Sequence, residues 1–373
     1  MFLKNIVASM IIVCSASAFS MDSQVVTIGI AAPMTGPIAH LGKDIESGVK
    51  MAVEEVNSNP PVIGGKKVTF KTATVDDQSD PRIAVQVANH LVDKSVAAVI
   101  GHYNSGTTIP ASKIYASAGI PQISPGSTNP EYTHQGFKTA FRNIANDVQQ
   151  GIVVAKFAYN ELKARKIAVI DDRTAAGQGQ ADKFIEEFTK LGGIVVTREY
   201  TSSAATNFTS ILTKIKTYNP DILFYASMDA QAGPMVKQMK SLGMKTKMLS
   251  MDGVMSNLFI KLAGDAAEGH MASSIGLPQN KFPGFLTFSK KFFARYGEMQ
   301  SYSPYSYDAF MVLVAAMKEA NSTDSARFSP QIRKMRYEGV TGPIQFDKNG
   351  DLLNGAITIY RVQNGKWVAI SSS

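Results

Sequence analysis

Residues 97–133 read AAVIGHYNSGTTIPASKIYASAGIPQISPGSTNPEYT. The four apolar residues at 97–100 predict a short buried strand, broken at Gly101. A polar turn, His102-Tyr103-Asn104-Ser105-Gly106, leads into a helix expected over 107–118. A second short strand, 121–124, ends in another polar turn at 125–129. Strand, turn, helix and strand in this order make a parallel α/β unit. Such sheets bind ligands where the chain leaves the carboxyl ends of the strands. The first turn offers free backbone N–H groups at a helix start, with the hydroxyls of Ser105, Thr107 and Thr108. That combination suits a carboxylate. The second turn adds Ser127 and Thr128, and Gly126 lets its backbone come close to a ligand. Apart from His102, neither turn carries a base, a thiol or a metal cluster. The local chemistry holds a ligand rather than transforming it.

The same alternation extends in both directions. Toward the N-terminus, 25–31 reads as the first strand, 42–56 as an amphipathic helix and 68–75 as a strand. Asp80 and Pro81 mark a helix start, as N-cap and first helical residue. Toward the C-terminus, strands are expected at 166–170, 194–200, 222–226 and 248–251. Helices over 180–191, 208–218 and 233–242 separate them. The pattern then turns helical at 285–296, 304–320 and 329–337. Residues 342–368 read as strands joined at two Asn-Gly hairpin signals, 349–350 and 364–365. Repeated βα units of this length imply two doubly wound α/β lobes. With no low-complexity tether in view, several crossovers are expected to join them.

At 373 residues, 45% hydrophobic and 18% charged, the chain has the composition of a soluble globular protein large enough for two domains. Its net charge of +8 is scattered, without a basic stripe interleaved with aromatics, which argues against nucleic acid as a partner. Residues 1–20 read as a cleaved secretory signal: Lys4, an apolar run at 6–13, then small residues at 15–18. The single cysteine, Cys14, lies within that leader. A lipid anchor there is the alternative, but Val13 stands where a small residue is expected. The mature chain then carries no cysteine and no disulfide. A periplasmic, monomeric protein is the simplest expectation.

Enzymatic signatures fail on spacing. Gly177-Gln178-Gly179 lacks the third glycine of a dinucleotide loop and reads as a tight turn. Ser105 has Tyr103 and Thr107 where a nucleophile elbow needs glycines. The string DKNGD at 347–351 resembles a calcium loop, but Leu352 and Thr358 replace its glycine and final glutamate, so a hairpin is expected. The five histidines have no ligand-like spacing, and no cofactor is expected. Asp252 stands apart. It follows a strand end, at the edge where ligands bind, and would pair with an ammonium group opposite the carboxylate site.

From residue 25 to the C-terminus the chain resembles the branched-chain amino acid (leucine/isoleucine/valine) binding proteins of bacterial ABC transporters. The marks are Gly36-Pro37 with Gly42, DDQSDP at 76–81, VIGH at 99–102, Ser124-Pro125 and NPEY at 129–132. Asp252-Gly253, YDA at 307–309, TGP at 341–343 and Phe346-Asp347 complete them. The resemblance implies a type I periplasmic binding protein fold: two lobes, three crossovers and a ligand in the interlobe cleft. It implies lobes of 21–145 with 277–355 and of 146–276 with 356–373. By the same likeness Ser105 holds the ligand carboxylate, Gly126 and Thr128 hold its amino and carboxylate groups, and Asp252 stands for a carboxylate, usually Glu, that pairs with the ammonium. Leu41, Ala176 and Met228 fall where the family often places aromatic rings, with Tyr103 and Tyr302 as alternative walls. The family's disulfide positions fall at Ser79 and Asn104. An amino acid delivered to an inner-membrane ABC permease is implied. A same-fold receptor for an amide, urea or aromatic acid, or a sensor subunit, remains the alternative.

Overall fold

The computed structural model describes residues 22–373; the leader read at 1–20, with Cys14, lies outside the described residues. The first of its two large sheets holds β1 (Ser23–Ala32), β2 (Val62–Ile63), β3 (Lys66–Asp76), β4 (Ala98–Gly101), β5 (Gln122–Ser124) and β6 (Ala140–Arg142). Their order is β2-β3-β1-β4-β5-β6, parallel throughout except for the β2–β3 pair. The second sheet is built from β7 (Lys166–Asp171), β8 (Ile194–Tyr200), β9 (Ile222–Ala226), β10 (Lys247–Ser250) and β11 (Met271–Ile275). After a separate ribbon of β12 (Arg336–Gly339) and β13 (Gly342–Gln345), the chain adds β14 (Ile357–Gln363) and β15 (Lys366–Ser372) to that sheet. Its order is β15-β14-β11-β10-β9-β7-β8.

The apolar runs behave as central parallel strands must, buried on both faces. Ile28 and Ile30 of β1 pack with Ala98 and Ile100 against the helices Ala39–Ser58 and Ser303–Glu319. Ala31 and Val99 face the helices Pro81–Asp93 and Ser105–Ser117 on the other side. In the second sheet, Ile170, Leu223 and Tyr225 join one core cluster, while Val169 and Phe224 join another with Phe184 and Phe188. Helices therefore cover both faces of each sheet. The chain passes between the sheets after β6, after β11 and before β14, which makes three crossovers. In each sheet the winding reverses at one strand: β1 lies between β3 and β4, and β7 between β8 and β9. Loops leaving the carboxyl ends of these strands form the cleft.

Five local expectations are corrected. Gly177 and Gly179 are not a tight turn but the start of the helix Ala175–Lys190, capped by the Thr174 hydroxyl on the Gly177 amide at 3.0 Å. A β-carbon on Gly177 would stand 2.2 Å from Asp172 Oδ1, so this glycine serves close packing. The last helix is Ser325–Lys334 rather than 329–337, because Asp324 caps it and Arg336–Gly339 pairs as a strand. At Asn349-Gly350 no two strands pair beyond a single Phe346–Leu352 bridge. Instead the Asp347 carboxylate accepts from the amides of Asn349, Gly350 and Asp351. Two further helices begin earlier than read, at Ala39 and Asp229.

Candidate functional site

Ser105 is the first residue of the helix Ser105–Ser117, and no side chain caps that helix start. Its hydroxyl, buried, accepts from the Asn129 amide at 3.2 Å and lies 3.4 Å from Ser127 Oγ. The first polar turn and the second are thus tied together. Thr107 and Thr108 behave differently from the sequence reading. Both hydroxyls turn back and donate to the Asn104 carbonyl, at 3.0 and 2.7 Å, so they brace the helix start rather than face a ligand. His102 is likewise structural, buried between Asp77 at 2.7 Å and Tyr115 at 3.1 Å.

The second turn is held from below. Ser124 Oγ accepts from the Ser127 amide at 2.9 Å and donates to the His102 carbonyl. Arg142, fully buried, donates to the carbonyls of Ser127 and Asn129 at 2.5 and 2.7 Å. The Thr128 carbonyl accepts from the Asp147 amide at 2.9 Å. Gly126 must be glycine, since a β-carbon would stand 2.3 Å from the Tyr103 ring. Ser127 and Thr128 are therefore presented on a backbone with little freedom.

Across the cleft, Asp252 opens a short 3-10 turn (Asp252–Val254) just past β10. Tyr302, from the first sheet's helical layer, donates to its Oδ2 at 3.0 Å, and Gln180 Nε2 stands 3.4 Å from Oδ1. Among the described residues no Lys, Arg or His lies within ion-pair distance of Asp252. Burial pushes its carboxyl above the ordinary value, with side-chain hydrogen bonds opposing. Tyr302 also receives the Tyr103 hydroxyl at 3.1 Å, the two rings edge to face at 4.9 Å. Both rings and Leu41 belong to the first lobe's apolar core. Ala176 and Met228 instead share the wall of a cavity of about 680 Å³, together with Asn104, Gly106 and Gln231. A β-carbon on Gly253 would touch Met228 Sδ at 3.0 Å, which places that thioether over the Asp252 turn.

Two residues of this site escaped the sequence reading. Arg142 is one. The other is Asp147, whose neighbour Asn146 forms a capping box with Gln149, a spacing the sequence does display. Asp147 is fully buried, and neither carboxylate oxygen meets a donor in hydrogen-bonding geometry. Burial pushes its carboxyl up to about 7, further raised by Asp252 and opposed by Thr128, Arg142 and Lys183.

The periplasmic binding protein family model matches residues 25–366. The chain belongs to that family. Among its members, the Leu/Ile/Val-binding protein homolog 1 of Brucella suis is 36% identical over 341 residues, 91% of each chain. A leucine binding protein from Thermotoga maritima superposes with a TM-score of 0.86 at 29% identity, over 93% of this chain and 98% of that one. The branched-chain amino acid substrate binding protein of Streptococcus pneumoniae, in complex with isoleucine, gives 0.85 at 25% identity, over 94% and 99%. As in other periplasmic binding proteins, the cleft lies between two doubly wound lobes. No described helix is long and apolar enough to cross a membrane.

Proposed function

We propose that this periplasmic binding protein captures an L-amino acid, branched-chain or otherwise apolar, and hands it unchanged to an inner-membrane ABC permease. One observation carries the reading: the first lobe offers a helix start at Ser105 with no side-chain cap, and the second offers a buried carboxylate, Asp252, with no cation within ion-pair distance among the described residues. A carboxylate at the first pole and an ammonium at the second satisfy both. Leucine, for which the Thermotoga maritima protein is named, and isoleucine, bound in the Streptococcus pneumoniae protein, have this dipolar form. Ser105, Gly126, Ser127 and Thr128 form the carboxylate side, with Asp252 and Tyr302 on the ammonium side. Ala176 and Met228, on the cavity wall, bound the side chain. An amide, urea or aromatic acid supplies no ammonium and leaves Asp252 buried unpaired, which disfavours those ligands.

The moving bodies are 21–145 with 277–355, and 146–276 with 356–373. A ligand touching Ser105 in one and Asp252 in the other favours closure by its differential affinity. A thermal-shift screen of the mature protein against the proteinogenic amino acids is expected to show apolar ones raising the melting temperature by several degrees. Small-angle scattering with the best of them should give a smaller radius of gyration. No stabilising amino acid, or superimposable scattering profiles, would defeat this reading.

Ser105→Ala is expected to weaken binding of that amino acid by about 1–3 kcal/mol, the range for a hydrogen bond to a charged group. Titration calorimetry reads it directly. An unchanged dissociation constant removes Ser105 from the site.

A further inference from the structure

His40 is the second residue of the helix Ala39–Ser58 in the first lobe, and Asp229 opens the helix Asp229–Ser241 in the second. Their side chains meet: His40 Nε2 lies 2.8 Å from Asp229 Oδ2. Among the described residues this is the one ion pair that joins the two lobes; each of the others lies within a lobe. The amino-acid site described above uses neither residue. Both partners are prepared inside their own lobes. Asp229 Oδ2 also accepts from Ser256 Oγ at 2.5 Å, and Oδ1 from the Ala230 amide at 2.8 Å. On the first lobe, Asp44 stands one turn after His40 and accepts from the amides of Gln300, Tyr302 and Ser303 at 3.0, 2.8 and 2.7 Å. The segment so held makes two further bonds across the lobes. Asn257 Nδ2 donates to Glu298 Oε1 at 2.6 Å, and Ser301 Oγ to the Met255 carbonyl at 3.3 Å.

The His40–Asp229 bond exists only while the lobes are together, since it has one partner in each. We propose that His40 and Asp229 are positioning residues for capture: they latch the closed cleft without touching the ligand, and slow the escape of every ligand by one common factor. The inference rests on the amino-acid reading given above, which supplies the probes.

The kinetic signature follows from where the bond is made. Ligand enters the parted lobes, where the latch is broken, so association does not feel it. Escape requires parting the lobes again, so dissociation does. The latch distinguishes parted from closed lobes and not one ligand from another, so it multiplies all affinities alike. Losing His40 also leaves the Asp229 side chain, fully buried here, to be covered on closure without its partner. Trp367, the chain's single tryptophan, reports on this place. Its Nε1 donates to the Ser256 carbonyl at 2.9 Å, and it shares a cavity wall with Met299, Gln300 and Ser301 of the other lobe.

The probes are the two proteinogenic L-amino acids that stabilise the protein most in the thermal-shift screen. Rates come from stopped-flow mixing followed by Trp367 emission, and dissociation constants from calorimetry. His40→Ala is expected to release both amino acids faster by the same factor, between about tenfold and a hundredfold. Its association rate should stay within about twofold of wild type, which also shows that the variant is folded. Asp229→Ala should behave alike, and the double variant should lose no more than either single one, because removing one partner already breaks the bond. His40→Gln keeps a donor and should recover part of the loss. An unchanged dissociation rate in His40→Ala overturns this inference and leaves the receptor reading standing. Factors that differ between the two amino acids by more than about threefold, or losses that add in the double variant, do the same. A screen with no stabilising amino acid overturns both.

Discussion

Asp252→Ala is expected to weaken amino-acid binding by about 3–5 kcal/mol, between roughly a hundredfold and a few thousandfold. The size follows from what is left behind. The carboxylate comes from the second lobe, is 7% exposed, and is aimed by Tyr302 at 3.0 Å from the first. Removing it leaves the ligand's ammonium buried without the carboxylate that pairs with it. The complementary experiment leaves the protein intact and removes the ammonium instead. Leucine should bind more tightly than its keto acid by a comparable factor, because the keto acid leaves Asp252 unpaired. The side-chain wall should discriminate far less. Ala176 and the flexible thioether of Met228 shape it, and a missing methylene in such a pocket costs about 1–3 kcal/mol. Valine, isoleucine, methionine and phenylalanine are thus expected within about a hundredfold of leucine. Equal affinity for leucine and its keto acid would make Asp252 a turn residue and nothing more.

What the sequence displays and what it hides divide along a physical line. Strands buried on both faces are visible as apolar runs, so residues 222–226 could be read to the residue; the half-exposed edge strand 194–200 is legible as well, through its β-branched start. Asp80 and Pro81 disclose a helix start because the cap is local: the carboxylate accepts from the Arg82 and Ile83 amides. Helix starts at Ala175 and Asp229 are hidden, since Gly177, Gly179 and Pro234 in the opening turns look like punctuation. Those glycines answer to groups far off in sequence; Gly179 lies against the Asn129 side chain, where a β-carbon would stand 2.7 Å from Nδ2. The hydroxyls of Thr107 and Thr108 advertise a polar site, yet which way they point depends on the Asn104 carbonyl. Arg142 is the furthest from legible. Its ionic partner is Asp351, 209 positions later, inside a string that resembles a calcium loop.

Arg142→Ala is expected to destabilise the protein by about 3–5 kcal/mol, the range for breaking a buried pair from one side. The guanidinium is fully buried and spends every arm: Nε on Asp351 at 2.6 Å, Nη1 on the Ser127 carbonyl, Nη2 on the Asn129 carbonyl and on Thr133 Oγ1 at 2.9 Å. Burial alone would raise the Asp351 carboxyl; Arg142, with Thr133 and His134, holds it below the ordinary value. A depressed carboxyl contributes stability above its unfolded value and loses it as pH falls through the folded one. In the variant that carboxyl is buried without its cation and moves upward, so it is easier to tolerate when protonated. The stability gap between wild type and Arg142→Ala should therefore be widest near pH 7 and narrow toward pH 4.5, as measured by denaturant unfolding at both. Arg142→Lys separates charge from geometry. A lysine ammonium restores part of the pairing with Asp351 but has no planar fork to reach two carbonyls and a hydroxyl at once. It should recover stability while leaving amino-acid affinity low, because the turn that presents Ser127 and Thr128 is released. An Arg142→Ala protein with an unchanged unfolding midpoint would mean that turn is held by Ser124 and the Asp147 amide alone.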